Sequence, residues 1–145
     1  MGADCIFCSI VRGEAPATKV WEDELALAFA DAFPLERGHL LVVPKVHVEN
    51  IYALDPELGA HLFRLTVRLA AALKTELEPD GMNLFQANEL AGGQEVFHFH
   101  LHILPRWKER APFRIIPNRT RSPYDELERL FAPVRARMAG VGPRA

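Results

Sequence analysis

The sequence predicts an α+β fold in which an antiparallel β-sheet of about five strands packs against one long helix and a C-terminal helix. Two observations predict the sheet: short apolar runs recur on either side of turn-forming residues, and the connections between them are short enough for antiparallel pairing. A third predicts the long helix, because leucines recur at helical spacing between residues 58 and 73. This order of elements favours α+β over alternating βαβ units.

The first three strands are predicted to precede any long helix. In "KVWEDELALAFAD", residues 19–31, two apolar runs flank a polar turn at residues 22–24, as is typical of a β-hairpin. The next run, "GHLLVVPK" at residues 38–45, is rich in leucine and valine. Pro44 is expected to end it, because proline has no N–H to donate to a sheet.

The long helix is predicted to begin at Asp55 and Pro56, because aspartate is a favoured cap and proline suits the first helical position. It is expected to end at "EPDG", residues 78–81. His61 lies between its apolar rows and is expected to be a surface histidine. The buried face is predicted to carry Leu58, Leu62, Leu65, Leu69 and Leu73.

Two more strands and a last helix are predicted in the second half of the chain. The strands fit "MNLFQAN", residues 82–88, and "EVFHFHLHIL", residues 95–104, with "ELAGGQ" as the turn between them. Ser122 and Pro123 are predicted as the cap and first residue of a helix that closes near Gly140. Its apolar face is predicted to carry Leu127, Leu130, Phe131, Val134 and Met138.

The composition predicts one domain spanning residues 1–145, since 145 residues with 49% hydrophobic content suffice for a single core. A net charge of −2 argues against a general electrostatic attraction to nucleic-acid polymers or anionic membranes. No apolar run approaches the roughly 20 residues that span a bilayer, and no signal-peptide pattern opens the chain. We therefore expect a cytoplasmic protein with small-molecule partners, and neither a nucleic-acid polymer nor a membrane among them.

One segment is basic and interrupted by prolines: "RWKERAPFRIIPNRTR", residues 106–121. It is expected to form an ordered surface loop. Its arginines either face solvent or form a collar for phosphate, and both interpretations stay open. Trp107 and Phe113 are assigned to packing rather than to a site.

Three histidines alternate with apolar residues in "VFHFHLHILPR", residues 96–106. Side chains of a strand alternate between its faces, so His98, His100 and His102 are expected on one face, opposite the apolar set. A half-exposed strand with polar histidines is the plain alternative. Otherwise the imidazoles form a metal site, or divide the work of group transfer as nucleophile and charge-stabilising groups. The adjacent "AGGQ" favours phosphate chemistry, because a glycine-rich turn exposes N–H groups to anions.

The same segment resembles the histidine triad (HIT) family of nucleotide hydrolases and transferases. "CIFCSIVRGEAPATKVWEDELALAFAD", "RGHLLVVPKVHVEN" and "AGGQEVFHFHLHILPR" are similar to the small zinc-binding bacterial members. The resemblance covers a core of residues 4–106, and residues 107–145 add the basic loop and the C-terminal helix. It implies a HIT-like fold, a nucleotide substrate and a homodimer.

The resemblance also implies roles for individual residues. His100 would attack the α-phosphorus of a nucleotide and form a nucleotidyl-histidine, with its tautomer held by a backbone carbonyl. His102 would bind phosphate oxygens and assist the leaving group, and His98 would anchor and orient the strand. Asp31, with Ala32 beside it, would bind the ribose hydroxyls, although a turn aspartate is an equally good local interpretation. The remaining implied contacts are to phosphate by Asn88, Gly93 and Gln94, and a supporting role for His39.

One position departs from the family pattern. Many relatives carry Ser or Thr after the Gly-Gln pair, whereas Glu95 stands here. A carboxylate beside a phosphate repels it unless the carboxylate turns away, is protonated or binds a cation.

Cys5 and Cys8 form a Cys-x-x-Cys pair, for which metal binding, redox chemistry and no role are all open from the residues alone. In the bacterial relatives such a pair joins two histidines around a structural zinc, which maps to Cys5, Cys8, His47 and His98. A reduced, metal-free pair is the alternative. A redox pair is disfavoured because it would open a helix after a strand, a context we do not expect at this N-terminus.

The expected function is hydrolysis at the α-phosphate of a nucleoside phosphoramidate, a nucleotidyl ester or a dinucleoside polyphosphate, with adenine as the favoured base. Mg²⁺ is an optional cofactor for polyphosphates, and Arg106 is a candidate to neutralise their extra charge. Two alternatives stay open: a nucleotidyltransferase or phosphorylase that passes the nucleotide to phosphate, and a non-catalytic nucleotide-binding sensor.

Overall fold

The computed structural model describes residues 4–110, 112–113 and 118–140, and it confirms the α+β prediction. All strand pairs of its five-stranded sheet are antiparallel, in the spatial order β1-β2-β3-β5-β4. In chain order the elements are α1 (Ile6–Val11), β1 (Lys19–Glu22), β2 (Ala26–Ala30), β3 (Leu40–Pro44), α2 (Pro56–Leu77), β4 (Gly81–Phe85), β5 (Leu101–Arg106) and α3 (Tyr124–Ala139).

Both faces of the sheet are covered, and every residue of β2 and β3 is buried. Alternate side chains serve two separate cores. One core packs Ala28 and Val42 against α2 and α3, while the other packs Phe29 and Leu41 against Phe7 of α1. The two central strands therefore hold helices on opposite faces.

The long helix agrees with its prediction. The Asp55 side chain accepts a hydrogen bond from the Glu57 N–H, Pro56 opens the helix, and Glu78 ends it in the left-handed conformation. His61 lies partly at the surface, as expected, since 30% of its side chain is exposed, but the ring is also held by a neighbour. Its Nε2 lies 2.9 Å from Asp23 Oδ2, so it joins α2 to the hairpin turn. A sequence window cannot reveal this contact, because the two residues are far apart in the chain.

The predicted strand at residues 95–104 is confirmed only in its second half. β5 begins at Leu101, and residues 95–100 approach it without sheet pairing. The ladder from β3 stops where Val42 pairs with Leu101, and the Pro44 carbonyl beyond it is bonded by the His98 ring instead. His98 and His100 therefore lie before the strand and His102 lies on it.

The C-terminal helix begins one residue later than predicted, with Pro123 as its cap rather than its first residue, and it ends at Ala139 with Gly140 as the C-cap, close to the expected end. No helix among the described residues is long and apolar enough to cross a membrane. Of the basic segment 106–121, residues 111 and 114–117 lie outside the described residues, and with them part of the predicted surface loop.

Candidate active site and metal centre

His100 is held as a neutral imidazole with one free nitrogen. Its Nδ1–H donates to the carbonyl oxygen of His98 at 2.7 Å, which leaves the Nε2 lone pair available. The ring is buried, and the edge of Phe7 packs against it at a centroid distance of 5.1 Å. Burial lowers the pKa of His100 and so favours the uncharged ring. The sequence-based expectation that a carbonyl holds this tautomer agrees with the contact.

His102 and His39 form a hydrogen-bonded pair whose direction follows from one backbone group. The Leu35 N–H donates to His39 Nδ1 at 3.0 Å, so the proton of a neutral His39 sits on Nε2. That Nε2–H donates to His102 Nδ1 at 2.9 Å, which leaves an N–H on His102 Nε2. Burial is the main cause that lowers the pKa of His39 to about 3 and that of His102 to about 2. Both rings are therefore neutral near pH 7, and His102 offers a donor.

A cavity of about 490 Å³ opens beside His100. We call it the large cavity. Its walls are mainly apolar, and His100 and His102 are among the polar residues that line it. The apolar walls include Ile6, Phe7, Ile10, Phe29, Leu41 and Val96, and the polar and charged ones include Asp31, Glu95, Arg119 and Arg121. Its volume suits a nucleoside-sized molecule.

Asp31 and Ala32 lie in the wall of the large cavity. Asp31 Oδ1 accepts the Phe33 N–H at 2.9 Å, so the residue is also a turn aspartate. Burial raises the pKa of Asp31 to about 6, against opposing effects of the Phe33 N–H and the charge of Arg119. Its contact with His39 at 3.5 Å is not an ion pair, because His39 is neutral.

The two side-chain amides expected to contact phosphate, those of Gln94 and Asn88, are bonded within the protein. Gln94 is buried, and its side chain bonds three backbone groups, those of Glu49, Glu89 and Val96. Asn88 exchanges side-chain bonds with Gln86 and accepts from the Ile51 N–H. These contacts favour supporting roles, and direct contact of Gln94 or Asn88 with substrate stays a prediction.

Arg119 was not singled out from the sequence, although it belongs to the basic segment that suggested a phosphate collar. Its Nε donates to the Phe33 carbonyl at 2.6 Å, and its Nη2 lies 3.4 Å from Glu95 Oε1. Glu95 thus faces a cation, one of the arrangements that relieves its repulsion of phosphate. Arg106, the candidate named from sequence, instead lies over the ring of Phe113 at 6.0 Å.

Four sulfur and nitrogen atoms converge at the N-terminus of α1. His98 Nδ1 lies 3.4 Å from Cys5 Sγ, 3.6 Å from Cys8 Sγ and 3.3 Å from His47 Nδ1, and Cys8 Sγ lies 3.3 Å from His47 Nδ1. A tetrahedral zinc ion with ordinary bond lengths separates sulfur and nitrogen ligands by about 3.6 Å and two nitrogens by about 3.3 Å. His98 Nε2–H donates to the Pro44 carbonyl at 2.8 Å, so its Nδ1 carries the lone pair that a metal requires. The cluster fits zinc.

The cysteine pair lies in a context that the sequence did not suggest. Cys5 caps α1 and Cys8 lies in its first turn, with the Cys8 N–H pointing to Cys5 Sγ at 3.4 Å. The pair does open a helix, but no strand precedes α1 among the described residues, so the helix-after-strand context of a redox pair is lacking, as expected. The metal interpretation does not depend on that expectation, because two histidines complete the cluster.

The fold and the site together define a class of protein. It is an α+β protein in which a histidine-rich strand, and the segment that precedes it, lie beside a nucleoside-sized cavity. Residues 12–109 match the family model of the HIT domain, and the chain belongs to the HIT family. A hypothetical histidine triad nucleotide-binding protein from Sulfolobus tokodaii strain7 is 32% identical, with a TM-score of 0.85 over 94% of this chain and 93% of that one.

Two further relatives bear on the chemistry. A zinc-bound histidine triad family protein from Mycobacterium smegmatis is 36% identical, with a TM-score of 0.81 over 97% of this chain and 99% of that one. Adenylylsulfatase HINT3 of Arabidopsis thaliana is 39% identical over 107 residues, which are 74% of this chain and 54% of that protein. The family thus includes a zinc-bound protein and an enzyme named for an adenylyl substrate.

Proposed function

We propose that this protein is a nucleotide hydrolase that cleaves at the α-phosphate through a nucleotidyl-histidine and releases a nucleoside monophosphate. The observation that carries the proposal is the state of His100. A buried, neutral imidazole with its Nδ1–H bonded to a carbonyl presents its Nε2 lone pair beside a cavity of nucleoside size. This is the arrangement that a histidine nucleophile needs.

In the first step, the Nε2 lone pair of His100 forms a bond to the α-phosphorus, and the bond from phosphorus to the leaving group breaks. The leaving group departs with that electron pair, and an amine also takes up a proton from solvent. The His98 carbonyl supports the positive charge that develops on the His100 ring. The Nε2–H of His102 donates a hydrogen bond to the developing negative charge.

In the second step, water attacks the same phosphorus, the electrons of the nitrogen–phosphorus bond return to His100 Nε2, and one water proton is released. His39 acts behind the site by holding the tautomer of His102. Two substitutions at phosphorus replace one slow displacement by water.

The nucleoside is proposed to occupy the large cavity, with its ribose hydroxyls at Asp31 near Ala32 and its base against the apolar wall. Adenine is the favoured base. Candidate substrates are a nucleoside phosphoramidate, a nucleotidyl ester and a dinucleoside polyphosphate. The name of the Arabidopsis relative, adenylylsulfatase, makes adenylyl sulfate a further candidate. Phosphate contacts from Asn88, Gly93 and Gln94, and a part for Mg²⁺ with polyphosphates, remain predictions.

A zinc ion held by Cys5, Cys8, His47 and His98 would supply a structural cross-link rather than a reacting group. His98 is the residue through which this link reaches the site, because its carbonyl positions the His100 ring.

The proposed assembly is a cytoplasmic homodimer. β4 lies at one end of the sheet, so one of its edges has no strand partner among the described residues, and Leu84 on that strand is exposed. Phe63 and Val67, four residues apart on α2, are exposed apolar side chains as well. A second copy would cover this surface, and ultracentrifugation should then give about twice the chain mass of 16.3 kDa.

The experiment that tests the function is mass spectrometry of products from adenosine phosphoramidate, adenylyl sulfate and diadenosine polyphosphates, with and without inorganic phosphate. The wild type should release AMP. His100→Ala should release none while keeping its circular dichroism, and His61→Ala is a matched control because it removes a histidine that lies on α2, outside this site.

Turnover by His100→Ala at the wild-type rate would contradict the mechanism. ADP formed only when phosphate is present would show a phosphorylase instead of a hydrolase. Nucleotide binding without any product would show a sensor.

A further inference from the structure

Arg119 lies where two cavities meet. It lines the large cavity and also a small cavity of about 20 Å³ on the side of His102. His100, His102 and Glu95 line both cavities as well, so these four residues surround the place where a phosphorus atom would react. The hydrogen bond from Arg119 Nε to the Phe33 carbonyl restrains the guanidinium in this position. Only 14% of the Arg119 side chain is exposed.

The small cavity has room for a compact group only. Its volume corresponds to one or two water molecules, far below that of a nucleoside. Its remaining walls come from Leu35, Phe85, Ala87 and Gly93. Among the described residues that line it, Arg119 supplies the one side chain that keeps a positive charge at any ordinary pH. Compact anions are the groups that such a lining favours.

Glu95 is the partner that an incoming anion would replace. Its carboxylate meets Arg119 Nη2 at 3.4 Å, a long contact, and its side chain is 60% exposed. The contact is long and the Glu95 carboxylate reaches solvent, so Glu95 can leave at small cost when an incoming anion takes its place beside the largely buried guanidinium. The Phe33 bond would keep the guanidinium in place when Glu95 swings into solvent.

We propose that Arg119 binds a negatively charged substituent of the leaving group in place of Glu95, so that the site prefers nucleotidyl substrates whose leaving group is a compact oxyanion. The inference rests on the proposed function, because it presumes a nucleoside in the large cavity. It narrows the substrate class from any α-phosphate derivative to mixed anhydrides such as adenylyl sulfate. Glu95 then acts as an internal competitor that keeps the empty site electrically balanced.

The test compares two substrates that share the adenylyl group: adenylyl sulfate, whose leaving group is an anion, and adenosine phosphoramidate, whose leaving group is ammonia. The measured quantity is the ratio of their kcat/KM values. Arg119→Gln should lower this ratio by roughly 10- to 100-fold, the range expected for losing a hydrogen bond to a charged group. Glu95→Gln should raise kcat/KM for adenylyl sulfate by about two- to fivefold, in line with an exposed ion pair.

Two variants separate specificity from structure. Arg119→Lys keeps the charge and should recover part of the lost ratio. Arg129→Gln is the matched control, because this exposed arginine pairs with Asp125 on the surface of α3. An equal loss on both substrates with Arg119→Gln, or no loss on either, would overturn the inference.

Binding to the His100→Ala protein keeps the inference testable if the wild type turns over neither substrate. Calorimetry with adenylyl sulfate and adenosine phosphoramidate then measures affinity without chemistry. In that protein, Arg119→Gln should weaken the binding of adenylyl sulfate at least tenfold more than the binding of adenosine phosphoramidate. An equal effect on both ligands would refute the role of Arg119, whereas absent turnover with the expected binding difference would refute the hydrolase alone.

Discussion

Each histidine of the site has its protonation state set by one neighbour. His98 donates its Nε2–H to the Pro44 carbonyl, which leaves a lone pair on Nδ1, while His100 donates its Nδ1–H to the His98 carbonyl, which leaves a lone pair on Nε2. His102 accepts at Nδ1 from His39 and keeps a donor at Nε2. Three identical side chains are thus suited to the three proposed roles of ligand, nucleophile and donor, because their ring nitrogens face different backbone or side-chain partners.

Asp31 is the residue for which we expect a pH-dependent cost of folding. Its pKa is raised to about 6 by burial, so its ionised form destabilises the fold. The cost is absent below the unfolded pKa near 4 and is complete above about pH 6. Asp31→Asn, which retains the acceptor for the Phe33 N–H, should stabilise the protein by about 2 kcal/mol at pH 7.5 and by much less at pH 4.

Urea unfolding of both proteins at the two pH values measures this difference. An equal change in the free energy of unfolding at both pH values would show that folding does not raise the pKa of Asp31. The same substitution should also weaken nucleoside binding if Asp31 contacts the ribose.

Among the elements, α2 is held against the sheet by its apolar face and also by a hydrogen bond from His61 to the hairpin turn. His61 Nε2 and Trp21 Nε1 both reach Asp23 Oδ2 at 2.9 Å, and Asp23 Oδ1 accepts the N–H groups of Leu25 and Ala26 at 2.8 Å. Burial alone would raise the pKa of Asp23, but these hydrogen bonds outweigh it and lower the pKa. The turn, β1 and α2 therefore share one carboxylate.

His61→Ala should destabilise the protein by about 1 kcal/mol, the net worth of a hydrogen bond to a partly buried carboxylate. Thermal unfolding should show the loss at pH 7, and Arg64→Ala on the exposed side of the same helix is the control. If both variants unfold at the wild-type temperature, the His61 contact adds nothing to stability.

At the scale of the whole molecule, the metal cluster joins three distant parts of the chain. Cys5 and Cys8 come from the N-terminus, His47 follows β3, and His98 precedes β5. A metal there would cross-link two sheet segments to α1 and restrain the His98 carbonyl that holds His100. We propose that residues 1–145 form one domain.

Zinc removal should therefore lower the stability of the protein and loosen the position of His98 and, through it, of His100. A strong chelator should reduce Tm by roughly 5–15 °C, because a structural metal contributes several kcal/mol. Differential scanning fluorimetry with metal analysis by mass spectrometry checks this, and Cys8→Ser should lack both the metal and the response. A wild-type Tm that is unchanged when zinc is lost would rule out the structural role.

The sequence by itself determined the elements and the family. Apolar spacing predicted α2 nearly to the residue and the hairpin with its turn, because helix and strand periodicity are local properties of a chain. The three alternating histidines and the Cys-x-x-Cys pair were likewise visible in short windows, and so was the departure at Glu95.

The tertiary structure alone decided which of these residues meet, and how. His39 reaches His102 from 63 residues away, and Arg119 reaches Glu95 from 24 residues away, contacts that no periodic pattern encodes. The sequence also did not predict that residues 95–100 lie outside the sheet. Their conformation depends on β3, a distant strand, whose pairing with β5 ends at Val42 and whose Pro44 carbonyl is bonded by the His98 ring. Local propensity specifies the strands, whereas the protonation states and charges of the site depend on distances that only the folded chain defines.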